Sequence, residues 1–148
     1  MRNTEIVEDV LVGVLNDMAM VFADPDRVDD RPTDYLAAEV RFTGPTSGRM
    51  TIAATPDVLR ELAAGVLGVD ADDAQAHEVI ADALGEFTNV ALGTLLPRLQ
   101  GEAAVFDLGG PQPLTPDSAL WSELMEDADT VMLTADDGVI LARFKIED

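Results

Sequence analysis

Asp82-Ala83-Leu84-Gly85-Glu86-Phe87-Thr88-Asn89-Val90-Ala91-Leu92-Gly93 sits inside the longest helical pattern of the chain, which runs from about Asp73 to Leu96. Wound at 3.6 residues per turn, Ile80, Ala83, Leu84, Phe87, Ala91 and Leu95 form one apolar stripe that calls for a core. Asp82, Glu86, Asn89 and Gly93 follow one another at steps of four, three and four residues, so they line a single opposite face. An ordinary solvated face carries Lys, Arg, Glu and Gln. This one carries an acid and an amide one turn apart, with Gly93 in line and Gly85 beside it. Each interior glycine disfavours the helix by roughly 0.8–1 kcal/mol relative to Ala, a penalty that close approach of another backbone can justify. Two readings follow: a docking ridge presenting Glu86 and Asn89, or a solvated face whose glycines pack on a neighbouring helix.

The rest of the chain supplies strands and helices for this segment to pack on. A first helix is expected from about Thr4 to Phe22, with Ile6, Val7, Val10, Leu11, Val14, Leu15, Met18 and Phe22 at helical spacing. An acidic loop follows. Strands are expected at Tyr35 to Thr43 and Arg49 to Thr55, joined by Gly44-Pro45-Thr46-Ser47-Gly48 as a hairpin. Thr55-Pro56-Asp57 opens a helix, with Thr55 as cap and Pro56 in the first turn. It ends near Gly68 and buries Val58, Leu59, Leu62, Ala63 and Val66. Beyond Pro97, Ala103 to Leu108 reads as a strand and Gly109 to Pro113 as a stiff loop with no ladder potential. A short helix, Ser118 to Glu126, carries Trp121. Thr130 to Thr134 and Val139 to Ile146 form a closing hairpin, with Gly138 accepting positive φ in the turn.

Composition bounds the function. The 148 residues fit one domain, 1–148, with a sizeable core. No apolar run approaches a membrane span, and the first residues turn acidic without a signal-peptide core. Absence of cysteine excludes disulfides and thiolate metal sites and makes a reducing cytoplasm the expected home. The net charge of −20 opposes nucleic acid and anionic membranes and favours a partner with a Lys or Arg near its own site. With His77 as the one histidine, nucleophilic triads and zinc sites are excluded. His77 itself reads as a surface residue. Asp70, Asp72 and Asp73 read as helix-start acids rather than as metal ligands.

A faint repeat is visible at an offset of 73 residues. Asp82, Leu84 and Asn89 lie over Asp9, Leu11 and Asn16, while Glu86 faces Gly13 and Gly93 faces Met20. The first helix then carries a degenerate copy of the ridge without its acid.

Asp82-x-x-x-Glu86-x-x-Asn89, with Pro111 following Asn89 at 22 positions and Pro113 two beyond it, resembles the signature of the CheC/CheX/FliY group of response-regulator phosphatases. The flanks Phe42-Thr43-Gly44, Gly48-Arg49-Met50 and Leu108-Gly109-Gly110-Pro111 resemble the group as well, and one intact Glu/Asn pair is similar to its CheX branch. The segment around Trp121 departs from the pattern. The resemblance implies an α/β (α+β) fold with two long helices on one face of a mostly antiparallel sheet, in pseudo-duplicated halves. It also implies a phosphatase acting on the aspartyl-phosphate of a CheY-like receiver. Asn89 would hold the attacking water and Glu86 would pair with the receiver's lysine. Asp82, Gly85 and Gly93 would meet the partner. Mg²⁺ would come from the receiver, the protein would need no cofactor of its own, and two chains would join as a homodimer through their late strands. Two other readings stand beside it: a non-catalytic adaptor gripping a receiver or flagellar component, and a structural dimerisation domain.

Overall fold

The computed structural model describes residues 2–29, 31–75, 79–135 and 138–147. His77, and Asp136 and Asp137 of the expected closing turn, lie outside them. The helices are α1 (Asn3–Ala19), α2 (Pro56–Leu67), α3 (Ile80–Gln100) and α4 (Ser118–Glu126). The strands are β1 (Asp24–Pro25), β2 (Leu36–Thr43), β3 (Gly48–Ala54), β4 (Asp107–Leu108), β5 (Gln112–Leu114), β6 (Thr130–Ala135) and β7 (Gly138–Ile146).

Every strand pairing is antiparallel, in the order β1-β6-β7-β3-β2, with β4 and β5 both lying along the outer side of β2. The two expected hairpins, β2–β3 and β6–β7, therefore meet at the centre, where Met50 faces Phe144 and Ile52 faces Ala142. Gly48 makes the start of this ladder possible, since a Cβ there would lie 2.0 Å from the Lys145 carbonyl oxygen. Helices α1, α2 and α3 cover one face over a core that includes Leu11, Leu15, Val40, Ile52, Leu59, Phe87, Leu92 and Leu95. α1 lies over β6, and α3 over β2 and β3. α1 and α3 run in opposite directions. Asp9, in the first half of α1, takes the guanidinium of Arg98 from the last turn of α3, and the groove between the helices ends at Asp17, Met18 and Val90. α4 covers part of the other face, where Trp121 meets the Tyr35 ring edge-on at 4.9 Å and packs with Leu124, Met132 and Leu141. Asp117 caps α4 by accepting the Leu120 N–H at 2.8 Å.

Several expectations need correction. α1 stops at Ala19, where Met20 takes the left-handed conformation (φ 56°) as its cap, so Phe22 lies outside the helix and is exposed. α3 continues through Pro97 to Gln100. The Thr55 side chain does not cap α2: its hydroxyl oxygen accepts the Val139 N–H, tying α2 to β7. Val66 extends the apolar period of α2 but is half exposed, because the helix outruns the surface that covers its earlier turns. The expected strand 103–108 is reduced to Asp107–Leu108. Pro113 lies inside a strand after all, opposite Ala38. It is tolerated because β5 is at the sheet edge, where one side of the strand needs no ladder donor. Gly138 opens β7 directly against α2. It is required by contact, as a Cβ there would fall 1.9 Å from Val58 Cγ2. Finally, β7 is an interior strand and cannot offer an edge to a second chain.

Candidate functional site

α3 presents the motif because its apolar positions fix its rotation. Ala83, Leu84, Phe87, Thr88, Ala91, Leu92, Leu95 and Leu96 are buried against the sheet and its neighbouring helices. Thr88, the polar member of that set, returns its hydroxyl to the Leu84 carbonyl at 2.8 Å, so its burial leaves no unmet donor. With that stripe inward, Asp82, Glu86 and Gly93 are exposed and Asn89 is half-buried. Glu86 and Asn89 stand one turn apart on the outward side, as an i,i+3 pair.

Among the described residues, no hydrogen bond or ion pair engages the side chains of Asp82, Glu86 or Asn89. Seven of the nine basic residues are paired elsewhere. Arg41, Arg49, Arg143 and Lys145 crowd the far face of the sheet with Glu39, Glu123, Asp127, Asp129 and Glu147. Arg2, Arg60 and Arg98 pair with Glu5, Asp57 and Asp9. Among the described residues the ridge thus carries two unpaired carboxylates, Asp82 and Glu86, with Asp82 also placed in the first turn of α3, where it favours the helix dipole.

Two clefts flank the ridge. One, of about 410 Å³, is walled by Leu36, Ala38, Gly85, Pro111 and Pro113, with Asp82 and Glu86 at its rim. The other, of about 320 Å³, lies toward α2 and is lined by Ala63, Val66, Leu67, Val79, Asp82, Ala83 and Glu86. The two interior glycines separate here. Gly85 is buried beneath the chain's own proline: a Cβ would lie 3.0 Å from Pro111 Cβ and 3.2 Å from its Cγ. The close approach expected there from a partner is made by Pro111. Gly93 is exposed, and a Cβ would meet Leu108 at an ordinary 3.7 Å, so its open side remains available. The Pro111–Gly85 contact ties the proline 22 residues after Asn89 to the helix that carries the motif, which local periodicity does not disclose. The apolar α2 wall was also missed, because Val66 reads as core by spacing alone.

Asp70, Asp72 and Asp73 precede α3 in a turn, where Asp73 N–H donates to the Asp70 carbonyl and the Asp73 carboxylate accepts the Gln75 N–H at 2.9 Å. On α1, Asp9, Gly13 and Asn16 are all exposed.

Known proteins bear on this geometry. The family profile described as chemotaxis phosphatase CheX matches residues 36–134, more than half of the chain and inclusive of the motif. No curated protein matches. Among solved structures, a chemotaxis protein CheX from Desulfovibrio desulfuricans is 18% identical, with a TM-score of 0.71 covering 99% of this chain and 100% of that one. A putative chemotaxis protein from Desulfovibrio vulgaris Hildenborough is 19% identical, with a TM-score of 0.73 and coverage of 99% and 97%. A CheX–CheY–BeF3–Mg²⁺ complex from Borrelia burgdorferi is 19% identical, with a TM-score of 0.66 and coverage of 99% of both chains. At these identities the structures speak for the fold, and the profile match speaks for the family. The chain belongs to the CheX family of chemotaxis phosphatases.

Proposed function

We propose that this protein hydrolyses the aspartyl-phosphate of a CheY-like receiver domain, with Asn89 and Glu86 as the working pair. The observation that carries the reading is the outward placement of these two side chains, one turn apart and, among the described residues, without hydrogen-bond or ion-pair partners. The family supports the reaction class. The Borrelia CheX, whose fold this chain shares, is seen with CheY, BeF3 and Mg²⁺.

The reaction asks little covalent chemistry of the protein. Water oxygen forms a bond to phosphorus as the bond between phosphorus and the aspartyl oxygen breaks. The receiver carboxylate leaves with the bond's electrons, and the water's protons pass to phosphate and solvent. Catalysis is then positioning and charge stabilisation. The Asn89 amide both donates and accepts, so it can hold a water in line and recover orientational entropy. Glu86 pairs with the receiver's lysine and sets the angle at which α3 enters. Asp82 contributes rim charge and Gly93 leaves room for the partner. The receiver supplies the Mg²⁺. A receiver partner places the protein in the cytoplasm. Two chains join through a sheet edge, with β6 the remaining late-strand candidate, since β1 covers its outer side only along Leu133 and Thr134.

The test is phosphate release from a Mg²⁺-bound phosphorylated receiver at a tenth or less of its molar amount. Several receivers dephosphorylated per copy is the expected result. Binding without acceleration would replace the phosphatase reading with an adaptor, and neither binding nor acceleration would leave a structural module. Light scattering at micromolar concentration checks the assembly, where a mass of one chain counts against the dimer.

A further inference from the structure

We infer that the groove between α2 and α3 is the second half of the docking surface: it receives an apolar side chain of the receiver beside the cation that meets Glu86. The inference rests on the receiver reading above and adds the residues that would select among receivers.

Val66 is 50% exposed and Leu67 46% exposed, two of the six large apolar residues exposed among those described. Single exposed apolar residues need no explanation. These two share a groove of about 320 Å³ with Val79 and Ala83, and its rim is Asp82 and Glu86 of the ridge itself. The surface is therefore apolar at its floor and negative at its edge, which complements an apolar residue neighbouring a lysine or arginine. It is also preorganised. α2 presses on α1 at Gly65, where a Cβ would lie 2.4 Å from the Ala19 carbonyl oxygen, and it stops at Gly68 in the left-handed conformation (φ 73°). The last turn carrying Val66 and Leu67 is thus fixed from both ends, which lowers the ordering cost of binding.

The charge rules out the other occupants. A second copy on a two-fold axis would set Asp82 and Glu86 against themselves. An anionic lipid surface would meet the same carboxylates in a chain of net charge −20.

The experiment uses the full chain and the beryllofluoride- and Mg²⁺-loaded receiver that the parent binds most tightly among those of its source organism. Val66→Ser with Leu67→Ser should raise Kd about tenfold, by the same factor at low and high salt, with kcat unchanged at saturating receiver. The loss on Glu86→Ala should shrink as salt rises. Val66→Thr keeps the side-chain shape and changes only its polarity, so a weaker effect in the same direction is expected without any change in thermal stability. A Kd within twofold of the parent for the double variant overturns the inference while leaving the phosphatase reading intact. A parent that binds through Val66 and Leu67 but releases no phosphate sustains the groove and sinks the phosphatase. A parent that binds no receiver ends both.

Discussion

α1 and α3 carry parts of the same sequence pattern and hold its acid differently. Each lies on the same face of the sheet, and each carries an acid and, seven residues on, an asparagine: Asp9 and Asn16, Asp82 and Asn89. On α1 the acid is engaged by Arg98, with 2.6 Å between Nη1 and Oδ2. On α3 no described residue forms an ion pair with it. Where α3 has Glu86, α1 has Gly13. Where α3 runs on through Gly93 for two more turns, α1 has already ended, and Met20 stands in a left-handed cap. Their glycines differ too. Gly85 is roofed by Pro111, whereas a Cβ at Gly13 would meet nothing within 4 Å. The difference teaches that an outward asparagine by itself does not distinguish the two helices. What marks α3 is an amide beside an acid that has no partner among the described residues, held outward by a buried stripe under a proline lid.

Breaking the comparison starts with the amides. Asn89→Ala should lower turnover by roughly 10²-fold or more with receiver binding largely kept, because its interaction matters chiefly in the transition state. Asn16→Ala should change neither, as read from single-turnover phosphate loss. Next comes the acid. Glu86→Ala should weaken docking about tenfold, an effect that salt diminishes, measured as Kd across an ionic-strength series. The glycines give a smaller and opposite pair of effects. Gly13→Ala should stabilise the fold by about 0.8–1 kcal/mol, raising Tm by about 3 °C. Gly85→Ala should lose stability instead, since Pro111 would have to move.

The far face of the sheet sets a reference for acids that are held within the chain. Burial pushes the Asp127 carboxyl up, but the Asp129 N–H, the Lys145 ammonium and the Arg143 guanidinium outweigh it and hold the group below its ordinary value of 3.8. A depressed folded-state value means stability that is present above pH 3.8 and is lost as the pH falls through the folded value. Asp127→Asn should flatten the acid limb of the unfolding curve in that window. The smallest effect is expected at Arg98→Ala. That ion pair is well exposed on both sides and should contribute under about 1 kcal/mol, as a double-mutant cycle with Asp9→Ala would read.

Much of this was legible because it is periodic. The stripes of α1 and α3 and the turn residues of both hairpins fix the layers, and the spacing of Asp82, Glu86 and Asn89 fixes the face. What escaped the reading is non-local. Pro113 looks like a strand breaker until β2 is beside it and solvent is on its other side. Gly138 looks like a turn residue, yet it is the neighbouring Val58 that forbids a side chain. Gly85 invites a partner by its composition and is occupied by Pro111. Val66 keeps the apolar period of α2 past the point where anything covers it. In each case the deciding atom comes from another element.

The central claim, that α3 and not α1 meets the receiver, is tested most directly by amide chemical-shift mapping. The labelled protein would be titrated with a beryllofluoride- and Mg²⁺-loaded receiver. Perturbations should centre on residues 82–93 and reach Val66 and Leu67, with residues 9–16 of α1 unmoved. Perturbations centred on α1, or on the far face of the sheet around Arg143, would contradict the account.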